Sequence, residues 1–257
     1  MRSPRYHAPR LLAAATILLA LATGANGESA AVWPALLGSR DVFPPDVSAA
    51  VERVWIEPTL SRTVNGRSAR VPFDVYVAFL DTPEVTAAAA RFRKLGRYEI
   101  QPLDDERYWA SDGDGARGIA QVLRREPRRV VLLSRGEHTG PILGTITGSA
   151  LTILDLEPRE GVVNPRLTAY VYIDNRVAAA LARVLIAIFG SLADRKLGEG
   201  LRVTAEVAEW AVDRSGGFCE WLAREPLPPA RRVRVLAALP SCAAGLDSNE
   251  ARPIQSP

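Results

Sequence analysis

The sequence predicts an α+β fold in which an antiparallel β-sheet packs against a long C-terminal helix, with a small helical extension after it. Three observations predict it. Strand-like runs between residues 97 and 173 follow one another at spacings too short for the crossover helices that parallel strands need. A well-punctuated helix precedes them, and an apolar-striped helix follows directly on the last run.

The chain opens on "MRSPRYHAPRLLAAATILLALATGANGES", with Arg2, Arg5 and Arg10, an apolar run from Leu11 to Ala22, and small residues ending in Ala25-Asn26-Gly27. That is the layout of a secretory signal peptide over residues 1–27. The run is shorter than the ~20 residues of a spanning helix, and an uncleaved anchor is the alternative. Those residues hold three of the 32 basic side chains and none of the 29 acidic ones, so the remainder is balanced. The apparent positive charge belongs to the export signal and gives no support to a nucleic-acid or anionic-membrane partner. The expected location is periplasmic or extracellular. Cys219 and Cys242, the two cysteines of the chain, are expected to form one disulfide in that oxidising setting. Two buried free thiols are the alternative.

Residues 28–50 read as a lead-in, with a short helix started by Pro44-Pro45-Asp46. Asn65-Gly66 between strand-like runs signals a hairpin. In its return strand Phe73, Val75, Val77 and Phe79 would share one face, with Asp74, Tyr76 and Ala78 on the other. Asp81 is placed to cap the helix "TPEVTAAAARFRKLG", which Lys94 and Gly96 stop. The runs "RYEIQP", "RYWAS", "GIAQVLR", "RRVVLLSR", "ILGTITGSALTILDLE" and "RLTAYVYI" then form an antiparallel meander, separated by turn clusters. Asp174 or Asn175 caps the next helix, whose stripe is Val177, Leu181, Val184, Leu185, Ile188 and Leu192. Its uninterrupted apolar run has the length of a buried core helix rather than a membrane span. Gly190, Gly198 and Gly200 allow either one long helix or two. Four segments result: the signal at 1–27, an α+β domain over 28–213, a disulfide-tied helical extension over 214–242, and a disordered tail over 243–257.

This order of elements resembles the START-like helix-grip superfamily, also called SRPBCC, over roughly residues 45–212. The resemblance implies a curved sheet wrapped around the long helix and, in many members, an apolar guest between the two. It rests on element order and carries no residue roles. From the residues themselves, the lining of such a space would be Leu167, Ala169 and Val171 from the last strand, with Val184, Leu185, Ile188 and Leu192 from the helix. Gly144, Gly148 and Ala150 beside Ile142 and Ile146 leave one strand face small, by reason of sheet curvature or of a cavity. Tyr76, Tyr170 or Tyr172 would supply a polar handle if they turned inward.

No motif here carries chemistry strongly, so no catalytic residue is named. His138, the one histidine after the signal, reads as a polar loop residue. Ser134, Ser149 and Cys219 lie outside any nucleophile-elbow context. Asp112-Gly113-Asp114-Gly115 resembles part of a calcium loop but lacks its leading Asp and trailing Glu. One His and two Cys are too few for structural zinc. No cofactor and no metal are expected. The composite reading is an exported, non-enzymatic protein that holds a small apolar, lipid-like ligand in the cell envelope. The alternative is an envelope structural or assembly factor with a filled core, whose contact surface would be Phe218, Trp221, Leu222, Val233 and Val235.

Overall fold

The structure, a computed structural model, describes residues 33–140 and 144–242, with the backbone alone for 181–193. The expected signal at 1–27 and the expected tail at 243–257 lie outside the described residues. Two single 3-10 turns, Ala35–Leu37 and Arg40–Val42, lead into α1 (Pro45–Ile56), β1 (Leu60–Asn65), α2 (Phe73–Asp81) and α3 (Pro83–Phe92). Strands β2 (Glu99–Pro102), β3 (Arg107–Ser111), β4 (Ala116–Glu126), β5 (Arg129–Gly140), β6 (Gly144–Arg159) and β7 (Val162–Ile173) follow. Helices α4 (Arg176–Asp213), α5 (Ser215–Arg224) and α6 (Pro229–Ala238) complete the described chain.

The strands make one sheet in the order β1-β7-β6-β5-β4-β3-β2, antiparallel at every pairing. The expected meander is therefore present, and β1 closes it from the far edge. This is the curved sheet gripping a long helix that the sequence predicted.

The expected hairpin at Asn65-Gly66 does not form. Residues Leu60–Asn65 pair with β7, Leu60 opposite Val171 and Asn65 opposite Arg166. Gly66 has no positive φ; a Cβ there would lie 2.7 Å from the Leu201 side chain. Its task is to let α4 come close. The expected return strand is α2 instead. Pro72, with φ −54° and ψ 146°, stands just before the first helical residue and starts the helix well. The alternation of Phe73, Val75, Val77 and Phe79 fits either period, but the helix buries Val75, Tyr76, Ala78 and Phe79 together. Asp81 ends α2 and does not cap α3, which follows Thr82. The Thr82 hydroxyl turns back and donates to the Ala78 carbonyl at 2.7 Å. Pro83 begins α3 as expected.

Asn175 caps α4, its side chain accepting from the Val177 and Ala178 amides at 2.9 and 3.1 Å. The helix runs unbroken for 38 residues through all three glycines. No described helix is long and apolar enough to cross a membrane.

Each face of the sheet carries its own core. On one face α1 brings Val47, Val51 and Val54 onto Val131, Leu133, Leu151 and Ile153. On the other, concave face, Leu154, Leu156 and Val163 meet Tyr76 and Phe79 of α2 and Leu201, Val203, Ala205 and Ala208 of α4. Alternation along the strands dictates this division. Phe218, Trp221, Leu222 and Val235 of the extension join the concave-face core at 0–5% exposure, and Val233 alone of the five expected contact residues is exposed. The apolar contact surface required by the assembly-factor reading is thus consumed in the fold. Cys219 and Cys242 are joined in a disulfide.

Candidate functional site

Among the described side chains, the concave face is packed over only part of its length. Beyond the core just described, toward the β7–α4 junction, the same face bounds a cavity of about 480 Å³. Its walls include Ile100, Ala120, Ile146, Ala150, Val171 and Ile173. All are half-buried in the described structure, and each is small or β-branched.

The glycines explain how the sheet bends and why space remains. Gly118 pairs with Gly136 and Gly136 with Gly148, so three glycines lie side by side across β4, β5 and β6. A Cβ at Gly118 would meet the Arg135 carbonyl oxygen at 2.3 Å, one at Gly136 the Arg117 oxygen at 2.3 Å, and one at Gly148 the Tyr172 oxygen at 2.4 Å. No real Cβ tolerates such an approach, so the row is a line along which strands close in. Curvature and cavity therefore share one cause: the missing side chains let the sheet bend and leave its inner surface bare. Gly136→Ala should lower stability by about 1–3 kcal/mol through overpacking, read as a lower urea midpoint; an unchanged midpoint would show that the strands part freely there.

Of the strand residues expected to line the space, Val171 is in the cavity wall. Ala169 lies on the same face, 2% exposed, and Leu167 packs against the filled half. The helix residues Val184, Leu185, Ile188 and Leu192 lie on the backbone of α4, but their side chains are outside the described residues. None of the three tyrosines considered as a polar handle reaches the cavity wall. Tyr76 is fully buried in α2. Tyr170 and Tyr172 face α1, where Trp55 lies 4.8 Å from the Tyr170 ring and the Arg53 guanidinium 5.6 Å from that of Tyr172.

Tyr98 is the aromatic wall that sequence reasoning passed over. Its alternation with Ile100 in "RYEIQP" was a usable signal, since both fall on one face of the run. Burial first, and then the Glu199 carboxylate facing it, push the Tyr98 hydroxyl well above its usual pKa.

Polar groups border the cavity at the β3–β4 turn. Asp112 accepts from the amides of Asp114 and Ala116 at 2.7 and 3.0 Å, so its carboxylate holds the β3–β4 turn. Lys196 of α4 reaches that turn, 3.0 Å from Asp114, and lies 3.4 Å from Glu199. The Lys196 ammonium, aided by Arg97, holds the Asp114 carboxyl below its usual range. On the opposite edge Arg62 of β1 faces Asp194 of α4 at 3.8 Å.

His138 is not in a loop: it lies on β5 opposite Ile146 and is exposed in the wall. Turn residues around it suggested a loop, yet β5 continues to Gly140. Ser134 sits four residues along the same strand, about 13 Å away at strand rise, beyond hydrogen-bond reach. Cys219 has no free thiol. Glu137, Asp155 and Glu157 are each held by an arginine, at 2.6, 2.6 and 2.5 Å. Among the described residues no cluster of His, Cys, Asp or Glu is assembled that would hold a metal ion. The cavity thus offers mainly apolar surface.

Comparison with protein-family models and with curated proteins finds no match. Solved structures with partial similarity include a conserved protein from Geobacillus kaustophilus, at 18% identity and TM-score 0.41, covering 59% of this chain and 97% of that one. Ara h 8.0201 is similar at 10% identity and TM-score 0.37, over 58% of this chain and 98% of its own. CalU16 from Micromonospora echinospora is similar at 12% identity and TM-score 0.33, over 72% and 86%. At these values the likenesses carry no argument about function, and the fold rests on the strand order and the helix themselves.

Proposed function

We propose that this is an exported, non-enzymatic protein that binds or carries a small apolar, lipid-like ligand in the cell envelope. The observation that supports it most is the unequal filling of the concave face. One half is close-packed with Leu, Val and Phe; the other presents alanines, glycines and β-branched residues to about 480 Å³ of space. That volume falls within the ~300–1,000 Å³ of small-molecule sites. An apolar guest would gain ~0.8 kcal/mol per buried methylene there, and an apolar cavity holds water poorly. The Arg-rich, apolar N-terminus and the disulfide support export.

The test begins with native mass spectrometry and solvent extraction of the protein purified from a periplasm. A co-purifying lipid-sized mass supports the reading. Ala150→Phe then places a ring in the cavity, since Ala150 is in its wall. It should weaken binding of a fluorescent fatty acid at least about tenfold, or ~1.4 kcal/mol, while shifting Tm by no more than about 4 °C. Clean apoprotein that binds no probe, or a variant that binds as well as the parent, would overturn the proposal.

A further inference from the structure

A second, smaller cavity of about 130 Å³ lies between α2, α3, β2 and α4. Phe79, Leu80, Ala87, Val203 and Gly200 bound it, and Tyr98 and Ile100 belong to its wall and to the wall of the larger cavity alike. The two spaces are therefore neighbours separated by two side chains of β2 and its approach.

Of these two, the Tyr98 ring is the one held in place from several sides. A Cβ on Gly96 would lie 2.3 Å from its Cε2 and 2.7 Å from its Cδ2, so the ring folds back over the bare backbone of Gly96. The Arg91 guanidinium donates to the Tyr98 carbonyl. Glu199 faces the hydroxyl from α4. Gly200, exposed on α4, borders the small cavity, and a Cβ there would meet nothing within 4 Å. A larger residue at Gly200 thus has room to fill the small space without touching the large one.

We infer that Tyr98 is the specificity-determining residue of the ligand site: its ring closes the large cavity against the small one and sets the longest unbranched acyl chain that fits. This rests on the ligand-binding reading above. The chemistry of the guest follows from the size of the second space, which equals about four water volumes. Such a space takes the end of a hydrocarbon chain and excludes a fused ring system.

The experiment measures affinity across the straight-chain fatty acids from octanoate to stearate, by displacement of a fluorescent probe, for four proteins. In the parent, affinity should rise ~4-fold per methylene and then stop rising at one chain length. In Tyr98→Ala that limit should move out by about two to four methylenes. Tyr98→Phe keeps the ring and should keep the parent limit. Adding Gly200→Leu to Tyr98→Ala should bring the limit back.

An unchanged limit in a folded Tyr98→Ala protein that still binds would sink the inference and leave the carrier reading standing. Failure of the parent to bind any member of the series would remove both. Should Tyr98→Ala fail to fold, Gly200→Leu alone decides: the limit stays at the parent length if Tyr98 closes the small space, and shortens if chains already enter it.

Discussion

Arg231→Ala should destabilise the protein by about 3–5 kcal/mol, the cost of leaving a buried charge without its partner. Arg231 is 7% exposed and Glu84 5%, and their closest atoms stand 3.6 Å apart. From α6 the guanidinium also donates to the Tyr108 hydroxyl at 3.4 Å and to the Asp104 carbonyl at 3.2 Å, and it lies 5.7 Å from the Tyr108 ring. One side chain thereby ties the extension to α3, β3 and the β2–β3 turn. Burial raises the pKa of the Glu84 carboxyl above its usual value, despite a backbone hydrogen bond and the nearby Arg231 and Arg234.

The sign of the pH dependence follows. A carboxyl with a raised folded pKa binds its proton more tightly when folded, so its contribution falls as pH rises from the usual carboxylate value through the raised one. The penalty of Arg231→Ala should therefore be largest near neutral pH and shrink in acid, where Glu84 is protonated. Urea midpoints at several pH values would show it, and an equal loss at all of them would refute the assignment. Replacing the pair together, Glu84→Gln with Arg231→Met, should recover much of the loss, because an uncharged pair of similar volume has no desolvation cost.

Cys219→Ala with Cys242→Ala should cost about 3 kcal/mol, the loop-closure entropy of a crosslink over 23 residues. In a domain of this size that is a Tm lower by about 6–12 °C. The disulfide joins α5 to the residues just after α6, and Cys242 is buried in the concave-face core. Limited proteolysis should cut the double variant first within the extension, whose two helices the disulfide joins. A melting temperature that is the same with and without reductant would show that packing alone holds the extension.

Much of this architecture was legible because short-range rules suffice for it. The runs after residue 97 alternate and are separated by turn residues, and all became strands of one meander. Asn175 at the head of an apolar stripe marked α4, and an even cysteine count behind an N-terminus that reads as an export signal marked the disulfide. The misreadings occur where distant segments decide. "VPFDVYVAFLD" satisfies a period of two as well as a helical one, and it is a helix because α4 and the sheet bury Tyr76 and Phe79 together. Gly66 looked like a turn glycine but accommodates Leu201. Tyr98 was passed over because its alternation with Ile100 shows that the two share a face but not which side of the sheet that face lies on.

The sequence by itself determined the strands of the meander and the helices that flank it, though not α2, and marked which strand faces are apolar and the expected cysteine pair. Only the tertiary structure decided that the described side chains pack one half of the concave face and leave the other lined by small residues, that Tyr98 stands between two cavities, and that Arg231 finds Glu84. Periodicity is a local property that a dozen residues can encode. An empty volume is the difference between the space a bent sheet encloses and the side chains that segments far apart in the chain bring into it, so no single segment carries it.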